Sequence, residues 1–154
     1  MKRIITGFAI STLLTFNLVA QESPKSKVVF FRTFNFFGGA IGFNVFSDTT
    51  KVMRFKPQTF KIVDVEPKPI RLWAETEVKR HVDIDFKSNH IYFVRGKVGM
   101  GLFVGRPQFE TLTVDEFRDL VSKKKYLQKQ LKNAGYNNVD DLVKPFETLK
   151  FTSL

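Results

Sequence analysis

Between residues 27 and 112 the chain is cut into short β-branched and aromatic runs by turn punctuation. The interval is about eight to twelve residues, which leaves no room for a helix between successive strands. That rules against alternating βα units and points to an all-β sandwich or barrel. The runs fall at 27–33 (KVVFFRT), 40–47, 51–55, 59–65, 70–75, 79–86 and from 90 onward. The clearest pair puts Ile70, Leu72 and Ala74 in alternation with Arg71, Trp73 and Glu75. After a polar corner near Glu77, Arg80, Val82, Ile84 and Phe86 alternate with Lys79, His81, Asp83 and Asp85. A period of two sends each set to its own sheet face. The 59–65 run (TFKIVDV) alternates poorly, so its faces stay open. Two prolines in 66–69 remove ladder donors, and no regular pairing is expected there. The expectation is a mainly β fold: an antiparallel β-sandwich of about seven to nine strands, with one or two C-terminal helices.

The most distinctive stretch is 91–111, IYFVRGKVGMGLFVGRPQFET. It opens as a strand, breaks at Gly96, Gly99, Gly101 and Gly105, and resumes after Arg106-Pro107. A dinucleotide fingerprint needs G-x-G-x-x-G opening a helix, so that free helix amides face the pyrophosphate. Here the last interval is one residue too long and the residues that follow do not begin a helix. The glycines instead suggest a bend or bulge where the chain crosses between sheets, permitting close backbone approach. Arg95, Lys97 and Arg106 flank this loop, either as a solvated rim or as a cationic mouth for a carboxylate or phosphate.

From Val114 the period changes to that of a helix, with Phe117, Leu120, Val121, Leu127 and Leu131 forming the apolar stripe. Thr113 and Glu116 have capping-box spacing. Asn133-Ala134-Gly135 stops the helix, and Asn137 or Asn138 caps a second, short one that runs through Val143. Lys123, Lys124, Lys125, Lys129 and Lys132 accompany the two leucines. Such a helix either lies on an anionic membrane or packs its leucines on the sheet and solvates its lysines.

Met1-Lys2-Arg3 precedes an uncharged apolar segment, 4–20, that ends at Ala20 before the polar residues Gln21-Glu22-Ser23-Pro24. The segment is short for a membrane span, which needs about 20 residues. It reads as a signal peptide cleaved after Ala20, with an uncleaved anchor as the alternative. The expected organisation is therefore a leader at 1–20, a linker at 21–26, a β-sandwich domain at 27–120 and a basic helical extension at 121–154. The formal charge of +10, lowered by two when Lys2 and Arg3 leave, reads either as a sign of an anionic partner or surface or as an ordinary basic, soluble domain. Export to the periplasm or beyond argues against nucleic acid, and no RNA- or DNA-binding motif is present. The absence of cysteine excludes disulfides, thiolate metal sites, a cysteine nucleophile and a lipidated N-terminal cysteine.

The opening VVFFR run, the AETE segment at 74–77 and the NHIYFVRGKVGMGLFVGRPQFETL run together resemble the bacterial family known as domain of unknown function 2846. The resemblance covers 27–120. It implies a small exported or lipid-anchored β domain with no assigned activity, and it carries over no catalytic residue. This chain lacks the cysteine that lipid anchoring requires, and its tail beyond Lys123 lies outside the shared pattern.

Other residue types with functional chemistry are sparse. His81, Asp83 and Asp85 share one strand face, as metal ligands or as a charged solvent face. Three such positions span roughly 13 Å, too far to converge on one ion without another strand. His90 has no evident nucleophile partner, and no G-x-S-x-G elbow exists. Glu75 and Glu77 are placed to pair with Lys79 or Arg80. Trp73, the single tryptophan, is either covered, by the C-terminal helix for example, or an exposed binding anchor. Phe36 and Phe37, beside Phe34, form a candidate interaction patch. No catalytic constellation or cofactor motif stands out. The expected role is a non-enzymatic interaction domain of the cell envelope, its partner an envelope protein or an anionic envelope polymer. The alternatives are a peripheral membrane module acting through the lysine-rich helix, and an envelope hydrolase.

Overall fold

The computed structural model describes residues 25–33, 40–102 and 105–146. The leader, Phe36 and Phe37 lie outside the described residues. Eight strands and three helices follow in order: β1 (Ser26–Phe31), β2 (Phe43–Ser47), β3 (Thr50–Phe55), β4 (Phe60–Val65), β5 (Pro69–Glu75), β6 (Lys79–Asp85), β7 (Ile91–Gly99), β8 (Arg106–Leu112), α1 (Val114–Lys123), α2 (Lys125–Asn133) and α3 (Val139–Val143). The strands form two four-stranded sheets, β4-β1-β7-β8 and β3-β2-β5-β6. They pack face to face as a β-sandwich with C-terminal helices.

Side-chain parity on β1 and β7 explains the layering. Val28 and Phe30 on β1, with Tyr92, Val94 and Val98 on β7, point into the sandwich against Phe43, Val45, Phe55, Leu72 and Ile84. Val29 and Phe31, with Ile91 and Phe93, point the other way, against Phe117, Val121, Leu127, Leu131 and Leu142 of the helices. The fold thus has three layers, and the β4-β1-β7-β8 sheet is the middle one. A strand covered on both faces needs a continuous apolar run, which is why VVFF and IYFV do not alternate. The same cause accounts for β4. Phe60 and Ile62 pack toward the helices, whereas Val63 and Val65 pack into the sandwich.

Pairing is antiparallel except between β1 and β7, which run parallel with Val28 beside Tyr92 and Phe31 beside Arg95. No hairpin links these two strands, so no turn dictates their relative direction. The 91–111 stretch does not cross between sheets. β7 and β8 are antiparallel neighbours in the middle layer, and the glycines serve close packing. A Cβ on Gly96 would sit 2.8 Å from the Phe55 ring, and one on Gly99 would sit 2.6 Å from the Gln108 side chain.

The helical stripe is broken at Lys124, whose backbone is extended (φ −124°, ψ 97°). The break is a matter of phase. Phe117 and Val121 are four apart, as are Leu127 and Leu131. The six positions from Val121 to Leu127, however, turn an ideal helix through about 240°. Interrupting the helix lets both pairs face the sheet. Gln128 Nε2 then donates to the Val121 and Ser122 carbonyls, at 3.0 and 3.1 Å, in the last turn of α1. The capping box forms as read: Glu116 N donates to Thr113 Oγ1 at 3.2 Å and Thr113 N to Glu116 Oε2 at 2.8 Å. Asn138 caps α3 through Asp141 N at 2.8 Å, and Gly135 takes a positive φ of 91°. The domain division drawn at residue 120 falls inside α1, and helical residues on both sides of it enter one core with the sheet. Among the described residues no helix is long and apolar enough to cross a membrane.

A candidate anion site where β1 ends beside β7

β1 stops at Phe31, while β7 continues to Gly99. Past the last β1–β7 pair, a recess of about 190 Å³ is lined by Arg32, Thr33, Arg95, Gly96, Lys97 and Val98. Parity divides its cations. Arg32 follows Phe30 onto the sandwich side, where its guanidinium carbon lies 5.8 Å from the centre of the Phe43 ring and it donates to the Ile41 carbonyl. Arg95 and Lys97 continue the helix-facing row of Ile91 and Phe93. Arg95 Nη2 donates to Thr33 Oγ1 at 2.9 Å, joining the two strand ends.

One carboxylate balances this group. Glu110 of β8 lies opposite Arg95 in register. Its Oε2 stands 2.7 Å from Lys97 Nζ and 3.4 Å from Arg95 Nη1. Arg95 Nε is buried with no hydrogen-bond partner. Arg32 is 3% exposed, and burial lowers its affinity for the proton because desolvation disfavours the charged form. Tyr126 of α2 closes the helix side by donating its hydroxyl to the Arg32 carbonyl at 2.8 Å. Burial pushes that phenol well above the ordinary tyrosine range, against a smaller downward pull from Arg95. Three cations and one carboxylate around a small recess favour an oxyanion, carboxylate or phosphate, through charge-assisted hydrogen bonds. The lining residues supply hydrogen-bond donors and positive charge.

Of the residues singled out from sequence, Arg95 and Lys97 meet here. Arg106 does not line the recess. It faces Glu77, with Nε to Oε2 at 3.8 Å, and Glu77 also accepts from the Leu102 amide at 3.0 Å. Arg32, Thr33 and Glu110 were not singled out, because only the parallel β1–β7 pairing and the β7–β8 register bring them to Arg95. Trp73 stands on the outer face of the other sheet. It is covered there by its own sheet and not by a C-terminal helix. Phe46 stacks on it at 4.6 Å and 19°, Lys79 Nζ lies 3.9 Å from its ring centre, and its Nε1 donates to the Asp48 carbonyl at 2.8 Å. Phe36 and Phe37 lie outside the described residues.

Asp83, Asp85 and His90 have local partners. Arg71 grips Asp83 through two bonds of 2.6 and 2.9 Å, and that hydrogen bonding holds the Asp83 carboxyl below its usual range. Asp85 pairs with Lys87. His90 Nδ1 lies 2.5 Å from the Ser88 carbonyl. Among the described residues no three histidine or acidic side chains are grouped to hold a metal ion. Leu127 and Leu131 are buried against the sheet, so the lysine-rich helix has no free leucine face to offer a bilayer. A larger cleft of about 340 Å³ lies among the helices, and there Arg118 is tied to Asp140 at 2.6 Å.

No protein family, curated protein or solved structure matches this chain.

Proposed function

We propose that the chain is an exported, non-enzymatic interaction domain of the cell envelope that binds an anionic group of an envelope protein or polymer. Arg95 and Lys97 side by side at one recess that Arg32 also lines from the other sheet face, with Glu110 as counter-charge, are the observation that carries this reading. The N-terminal leader and the net positive charge support export and an anionic partner. The decisive experiment is retention of envelope components on the immobilised chain, repeated with the Arg95→Ala/Lys97→Ala variant. Material released by salt from the native chain and not retained by the variant is expected. Recovery of nothing, or equal recovery on both, defeats the reading.

A further inference from the structure

On the outer face of the β3-β2-β5-β6 sheet, Trp73 is in register with Phe46 of β2 on one side and His81 of β6 on the other. Phe46 stacks on the indole at 4.6 Å, as cross-strand aromatic pairs do. Lys79 reaches the ring from β6, the strand on the opposite side of β5, and its Nζ stands 3.9 Å from the ring centre. Beside that contact is a recess of about 250 Å³, lined by Asp48, Arg71, Trp73, Lys79 and His81. The cross-strand stack explains Phe46. It does not explain the polar side chains gathered next to the indole.

These side chains are polar yet close to neutral as a set. Asp83 balances Arg71 through two bonds of 2.6 and 2.9 Å. Lys79 and Asp48 offset each other in charge. Among the described residues, the side chains of Asp48, Lys79 and His81 make no hydrogen bond or ion pair. Asp48 opposes a simple anion and Lys79 a simple cation. Together they suit a neutral ligand that both donates and accepts, because a carboxylate only accepts, an ammonium only donates and a neutral imidazole does either. Trp73 adds an apolar wall. The ring's negative face, already shown by the ammonium it holds, equally suits the polarised C–H groups on one face of a sugar ring, whose hydroxyls lie around its edge. An adjoining recess of about 570 Å³ shares Asp48 and Arg71, so there is room for more than one sugar unit.

We infer that this sheet face binds a neutral glycan, with one sugar ring against Trp73 and its hydroxyls on Asp48, Lys79 and His81. The site lies on the other sheet from the anion recess and does not depend on that recess being occupied.

Trp73 is the only tryptophan, so its emission reports on this site in the unmodified full chain. Titration with short neutral oligosaccharides of glucose, mannose and N-acetylglucosamine, at up to millimolar concentration, should give a saturable blue shift with at least one of them. Inorganic phosphate should give none. Asp48→Asn/His81→Ala should weaken the response about tenfold with thermal unfolding unchanged, since neither side chain has a partner to lose and Asn tolerates the positive φ of 52° at position 48. Arg95→Ala/Lys97→Ala should bind the same sugar as the native chain does, which separates this site from the anion recess. No response to any of the three sugar series overturns the inference, and so does equal affinity in Asp48→Asn/His81→Ala. A response to phosphate or to a sulfated polysaccharide with none to the neutral sugars also overturns it, and would assign the face to anions.

Discussion

Arg95 and Thr33 are joined by a 2.9 Å hydrogen bond between residues 62 positions apart, and this bond closes the end of the parallel β1–β7 pair. It fixes one edge of Arg95 and leaves Glu110 to set how strongly the recess attracts an anion. Replacing Glu110 by Gln removes the competing carboxylate and keeps its shape. Affinity for inorganic phosphate, followed by calorimetric or NMR titration, should rise about two- to fivefold at low salt, and the gain should shrink as salt is added. Arg95→Ala should remove most of the binding. An unchanged or weakened phosphate affinity in Glu110→Gln would show that Glu110 does not compete for these cations.

Phe117 is the bolt between helices and sheet. Its ring stacks on Phe93 at 4.2 Å and 21° and meets Phe31 at 5.1 Å. Phe117→Ala should cost about 3–5 kcal/mol in urea unfolding. Loss of the helices should also expose Val29, Phe31 and Phe93, so truncation after Thr113 should give an aggregating chain. A soluble, cooperatively folding truncate would mean that the helices are dispensable.

Gly96 is pinned by the core on the far side of its strand. Its missing Cβ would sit 2.8–2.9 Å from three atoms of the Phe55 ring. Gly96→Ala should destabilise by about 1–3 kcal/mol through overpacking. Adding Phe55→Leu should recover part of that loss, and simple additivity of the two substitutions in a double-mutant cycle would show that they do not meet.

Alkaline stability should follow the buried phenols. Burial raises both Tyr126 and Tyr92 above the ordinary tyrosine value. The folded protein therefore holds these protons at a pH where the unfolded chain, with tyrosines near about 10, releases them. Their contribution is complete below that unfolded value and is lost as pH climbs toward the folded ones. Urea midpoints should accordingly fall above about pH 10. Tyr126→Phe should flatten that fall and cost about 1 kcal/mol at neutral pH through the lost bond to the Arg32 carbonyl.

Local pattern determined a good deal. Turn chemistry and period-two alternation placed the eight strands within a few residues, and Thr113, Glu116, Asn138 and Gly135 marked helix ends, because strands, turns and caps depend on neighbours a few positions away. The non-alternating VVFF and IYFV runs carried the signal of strands covered on both faces. The 121→127 spacing carried the helix break at Lys124, though the stripe read as one helix. Arg95 and Lys97 were legible as candidate cations, together with Arg106, because they flank the glycine-rich loop. The rest of the recess was not. Arg106 looks equivalent in sequence but is turned toward Glu77, and Arg32, Thr33 and Glu110 join the site from other strands. Periodicity records which face a residue occupies. Which strand lies beside it, and in which direction, is settled by packing two cores on opposite faces of one sheet, and that decision alone set β1 parallel to β7 and made the recess.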